Sequence, residues 1–176
     1  VNQLSVPSFG ALVRAPLGDG YQVYGLIHDI HIDDDGLVRQ LVTADGVSEE
    51  VMKDNRERRI VPVEMSVLAV GYDQDGRVHH LLPPRPPLSL DVIYACDDKE
   101  TVSFTSAGRF GYFRHILNGK DLPIGEVLAA HLMQAGKAHG ANGDAWREKA
   151  VQELITLLRD DYPTLMSVLG ALADIS

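Results

Sequence analysis

The chain has 176 residues, of which 45% are hydrophobic and 23% charged, and its net charge is -9. That composition suits a soluble globular protein with a core of its own, and the acidic balance disfavours phosphate backbones unless a local basic patch overrides it. Its single cysteine, Cys96, excludes an intramolecular disulfide and fits a reducing cytoplasm, and no apolar run reaches the roughly 18 residues of a membrane span.

Phe9–Ala15 reads as a first short strand, and Pro16–Gly20 as a turn. The stretch that organises the first half follows: Tyr21–Asp33, rich in β-branched and aromatic residues, reads as a strand. Asp33–Gly36 is a turn signal, and the alternating run 36–43 is the return arm of a hairpin. Asp45–Arg59 is charged and reads as a loop with at most a short helix. Ile60–Tyr72 returns to β, with Pro62 marking an edge or kink. Asp73–Gly76 is a turn and Arg77–Leu82 another strand. Leu81–Pro87 has four prolines in five residues, which favours polyproline II as a linker or strap. Leu90–Ala95 and Thr101–Phe104 are two further short β candidates. About five turn-broken strands over residues 9–82 point to a small antiparallel barrel.

From Ser106 the apolar spacing turns helical. Gly111–Asn118 is a short helix ended by Gly119. A second helix begins near Pro123, with Ile124, Val127, Leu128, His131, Leu132 and Ala135 on one stripe. Asp144 is a candidate cap for a third helix, whose face carries Trp146, Leu154, Leu157 and Leu158. Tyr162–Pro163 starts the last, with Leu165, Met166, Leu169 and Leu172 apolar. The fold class is therefore α+β, an N-terminal barrel over 7–104 followed by a helical domain over 106–176.

Several residues invite a chemical reading. His28 and His31 lie three apart on one strand and so point to opposite faces, which prevents a shared ion. Asp29, His31 and Asp33 share a face, and alternation with Ile30 and Ile32 explains them as its solvated side. His79 and His80 are adjacent and diverge likewise. Cys96 and His115 lack any nucleophile context, and Asp97 and Asp98 would raise the thiol pKa. Lys53–Arg59 is the basic cluster of the chain; Arg56, Arg58 and Arg59 are candidate partner contacts, diluted by Asp54 and Glu57. Arg109 and Arg114 interleave with Phe110, Tyr112 and Phe113, aromatics more simply explained as core. No P-loop and no G-x-S-x-G elbow occurs.

Phe9–Pro16, Val23–Ile30, Val63–Ala95 and the segment to Phe104 carry a family pattern. A "yGlI" strand, a hydrophobic strand and turn, a proline-rich stretch and a D-V-x-x-A exit follow in order. Over about residues 7–104 this resembles the HAS-barrel, the β-barrel shared by HerA-type ATPases and rotary ATP synthase subunits. In that family the barrel packs against neighbouring barrels in a ring and a motor domain follows. Here no G-x-x-x-x-G-K-[ST] follows, so the resemblance implies a barrel used for assembly without the motor.

The expected protein is a non-enzymatic assembly module, docking on itself or on a HerA-like ATPase. Candidate contacts are Asp29, His31, Asp33, Arg56, Arg58 and Arg59, with no catalytic, cofactor or metal-binding residue assigned. A nucleic-acid-associated accessory factor and a hydrolase or metalloenzyme built from scattered His and Asp residues are the alternatives. No membrane and no direct nucleic-acid contact is expected, and the expected location is the cytoplasm.

Overall fold

The computed structural model describes residues 7–32, 63–88 and 91–175. The expected turn at Asp33–Gly36, the return arm at 36–43 and the charged segment at 45–59 lie outside the described residues, as do Arg56, Arg58, Arg59 and Asp33. The strands are β1 (Leu12–Pro16), β2 (Tyr21–Ile32), β3 (Val63–Gln74), β4 (Arg77–His79) and β5 (Tyr94–Ala95). The helices are α1 (Asp98–Ser106), α2 (Phe113–Leu117), α3 (Ile124–Ala138), α4 (Gly143–Leu157) and α5 (Tyr162–Asp174).

The turns form where the glycines and aspartates allow them. Gly18, Asp19 and Gly20 all take positive φ, and the Tyr21 amide closes the β1–β2 turn on the Gly18 carbonyl. At the β3–β4 turn the Gly76 amide donates to Asp73 Oδ1 at 2.7 Å. β1 runs antiparallel to β2, with Leu12 opposite Leu26 and Ala15 opposite Val23.

The strands form one open antiparallel sheet in the order β4-β3-β2-β1-β5. The expected barrel is therefore wrong. Closure would need β4 and β5 to pair, but they are edges of three and two residues. The strand expected at Thr101–Phe104 is instead part of α1. Asp97 Oδ1 accepts from the Glu100 amide at 2.8 Å, and Glu100 Oε2 accepts from the Asp97 amide at 2.9 Å. This capping box satisfies two donors at the helix start and commits the segment to helix. Of the strand expected at Leu90–Ala95, Leu90 lies outside the described residues, and within 91–95 Tyr94 and Ala95 pair with β1.

Strand alternation gives the sheet two apolar faces. Leu12, Tyr24, Leu26 and Val70 enter a core shared with Phe104, Tyr112, Phe113, Ile116, Leu128, Leu132 and Leu154 from the helices. Burying each of these large side chains contributes about 2–3 kcal/mol. Val13, Ala15 and Val23 point the other way, under Pro87 and Ile93. The proline segment thus lies as a strap over the sheet face opposite the helices.

The core draws on residues to both sides of residue 105. Two compact units are distinguished, Val1–His28 with Val67–Ser176, and Asp29–Ser66. α3 follows its predicted stripe, whereas in α5 the expected Met166 is exposed and Val168 is the buried residue. Asp144, expected to cap α4, forms an ion pair with Arg147, and Asn142 holds the cap position. In α4, Trp146, Ala150 and Leu154 are buried, as is Leu158 just after it, while Leu157 is exposed.

Candidate functional site

The strap and the β5 edge are built from a few specific contacts. The Tyr21 hydroxyl donates to the Arg85 carbonyl at 2.9 Å and accepts from the Arg85 amide at 3.2 Å. The Arg85 guanidinium lies 4.5 Å over the Tyr21 ring. One tyrosine therefore pins the middle of the strap through three interactions. Beneath it, Val13, Ala15, Val23, Val67, Pro87 and Ile93 line a small apolar cavity of about 210 Å³. On β1, Arg14 Nε sits 2.5 Å from Glu100 Oε1 and its guanidinium lies 5.2 Å from the Tyr94 ring. Arg14 thereby ties β1 to both β5 and α1.

The two sheet edges differ. The chain leaving β4 is covered: Arg114 Nη2 and His115 Nε2 donate to the His80 carbonyl at 2.7 and 3.1 Å. Among the described residues, β5 has no such hydrogen-bonded cover on its outer side. Val92, Ile93 and Tyr94 are 60%, 50% and 47% exposed, and Leu82 and Leu88 on the strap are exposed as well. No charged residue interrupts 92–96. Native edges are usually blunted by charge, proline or a covering element, and contiguous exposed apolar surface marks an interaction site.

Cys96 is not placed with His115, which serves the His80 carbonyl. It instead shares a second cavity of about 210 Å³ with Asp98, Thr101, His131 and Gln134. Burial, and then the Glu100 carboxylate, push the thiol up to about 12. His131 has both ring nitrogens engaged: Nε2 accepts from the Tyr112 hydroxyl at 2.9 Å, and Nδ1 donates to the Gly10 carbonyl at 3.3 Å. Burial lowers its pKa to about 4. His131 is a structural link between α3, α2 and the Gly10 turn.

His31 and Asp29 do share a face of β2, with His31 Nδ1 3.2 Å from Asp29 Oδ2. Glu64 on β3, which sequence reasoning missed, meets His31 Nε2 at 2.9 Å. The hydrogen bond His31 donates to Glu64, and then that to Asp29, raises the His31 pKa. Among the described residues, no group of three His, Cys, Asp or Glu could hold a metal ion. His79 stacks on Tyr72 at 4.8 Å, while His80 turns inward and donates from Nε2 to the Phe104 carbonyl at 2.9 Å. Burial lowers the His80 pKa.

The aromatics beside Arg109 and Arg114 belong to the core. Tyr112 and Phe113 are fully buried, and Phe110 stacks on Phe113 at 5.1 Å. Tyr112 and Phe113 have no exposed ring face on which a base could stack. No helix among the described residues is long and apolar enough to cross a membrane.

Fold and site together define an α+β protein: an open antiparallel sheet, helices on one face, a proline strap on the other, and an apolar edge at β5. Compared with family models, curated proteins and solved structures, the chain matches none.

Proposed function

We propose that this chain is a non-enzymatic assembly module that docks on a protein partner through the β5 edge and the adjoining strap. The observation that carries the reading is the charge-free, exposed run from Val92 to Tyr94, which leads into the short edge strand β5. Strand addition at such an edge supplies main-chain hydrogen bonds, and the flanking apolar side chains add burial. The sequence resemblance makes a HerA-like ATPase the first partner to test and a second copy of the chain the next. A cytoplasmic location fits the lone cysteine.

The nucleic-acid reading rests on Arg56, Arg58 and Arg59 and gains no support from the fold. The hydrolase or metalloenzyme reading has no cluster of three His, Cys, Asp or Glu able to hold a metal behind it among the described residues.

Light scattering over a range of concentrations, alone and with a HerA-like ATPase, tests the proposal. Assembly that Val92→Lys abolishes, with the unfolding midpoint unchanged, supports it. A protein that stays monomeric and has no affinity for the ATPase overturns it.

A further inference from the structure

α5 is rich in apolar residues yet fully buries only Val168. Leu165 and Leu169 are half-buried, and Met166 and Ile175 are exposed. The helix runs beside α3 in the same direction. Ser167 and Ala171 meet Gly125 near the start of α3, and Ile175 shares a cavity with Met133 near its end.

Between the two helices lies an open groove of about 500 Å³. Small residues, Ala129, Ala130, Gly170 and Ala171, leave the space, and Met133 and Met166 line it beside them. Met166 to Asp174 spans about 12 Å at 1.5 Å per residue, roughly two helical turns. Each wall also carries a carboxylate, Glu126 on α3 and Asp174 on α5, and no Lys or Arg lines the groove. Neither carboxylate has a hydrogen bond or ion pair among the described residues.

We propose that the α3–α5 groove binds an amphipathic helix of a partner protein. The helix seats large apolar side chains over Gly170 and sets Lys or Arg against Glu126 and Asp174. Groove length and apolar lining fit helix-in-groove recognition, and methionine walls adapt to the shape of an apolar anchor. The partner's charge follows from complementarity. Unpaired carboxylates on both walls, within a chain of net charge -9, attract a basic helix and repel an acidic one. A second copy of this acidic chain is the poorer occupant for the same reason. The inference does not rest on the β5 edge.

The test uses the full chain and two fluorescein-labelled helical peptides of about four turns. One is a Leu/Lys amphipathic sequence and the other its Leu/Glu counterpart. Fluorescence anisotropy should show binding of the Leu/Lys peptide alone, weakening several-fold as salt rises. A Cβ at Gly170 meets nothing within 4 Å, so Gly170→Leu fills the groove without disturbing the fold. It should weaken binding about tenfold or more, since it removes the site for an apolar anchor. The pair Glu126→Lys and Asp174→Lys should reverse the preference to the Leu/Glu peptide. Equal binding to the wild type and Gly170→Leu would mean general adhesion to an acidic surface and overturns the proposal. So does an absence of binding. Self-association of the wild type that Gly170→Leu abolishes assigns the groove to a second copy, which also overturns it.

Discussion

The Tyr112 hydroxyl donates a 2.9 Å hydrogen bond to His131 Nε2, and both side chains are buried. With Nδ1 donating to the Gly10 carbonyl, the tautomer that satisfies both partners carries its proton on Nδ1. Tyr112→Phe leaves the Nε2 lone pair buried and unpaired, at a cost of about 1–3 kcal/mol. Urea unfolding of the variant should show that loss, and an unchanged midpoint would refute the assignment.

The same histidine makes stability depend on pH. Unfolded, its pKa is near 6.5; folded, burial holds it to about 4. Between those values the unfolded chain binds the extra proton, so stability falls as pH falls. The contribution is complete above pH 6.5 and is lost through the window down to about 4, amounting to about 3 kcal/mol. Burial lowers His80 and His139 in the same direction, so they add to the slope. His131→Gln isolates the His131 share: its urea midpoints should vary less with pH than those of the wild type. Parallel profiles would show that His131 is not the titrating group.

Gly10 holds the other end of this link under a steric limit. Its φ is +78°, and a Cβ there would lie 2.6 Å from Ala130 Cβ and 2.8 Å from the His131 nitrogen. Gly18 has a similar φ of +80° but open space around it. Gly18→Ala should therefore cost only the left-handed strain, about 1–2 kcal/mol. Gly10→Ala adds a clash with the α3 backbone and should cost several kcal/mol. Equal unfolding midpoints for the two variants would remove the close-packing argument.

At the start of α1, Asp97 and Glu100 divide two tasks. Asp97→Ala removes the cap and should cost about 1 kcal/mol. Glu100→Gln can still reach the Asp97 amide but loses its charge against Arg14, a pair about a quarter exposed and worth about 0.5–1 kcal/mol. Glu100→Ala removes both contacts and should exceed Glu100→Gln. Thermal or urea midpoints that rank these variants otherwise would contradict the shared role.

That capping box also shows what was legible. Asp97 followed three residues on by Glu100 is a helix-start signature open to reading from sequence, yet Thr101–Phe104 reads as β by composition. The aromatic and β-branched residues there serve a buried helix face, which propensity does not distinguish from a strand. The α3 and α4 stripes were legible because a 3.6-residue period repeated over 15 residues each. Strand alternation was legible too, and it placed Asp29 and His31 on one face. Sheet closure was not, because open and closed sheets share the same period of two and differ only in which edges pair. Glu64 escaped notice because its partner His31 lies 33 residues away and only β2–β3 register joins them. Cys96 met His131 rather than His115 for a similar reason: long-range packing brings the β5 end to α3.

His31 carries the last prediction. Its ring lies between Asp29 Oδ2 at 3.2 Å and Glu64 Oε2 at 2.9 Å, with all three side chains about half exposed. Both carboxylates favour the imidazolium, so the folded pKa is raised. The pairing therefore contributes below the unfolded pKa and fades as pH rises through the folded value, opposite in sense to His131. An NMR titration of the imidazole should find His31 above 6.5, with Glu64→Gln lowering it more than Asp29→Asn. Global stability should barely move in either variant, since solvent screens exposed pairs. A His31 that titrates like a free histidine, or that ignores Glu64→Gln, would show that β2 and β3 do not hold this register in solution.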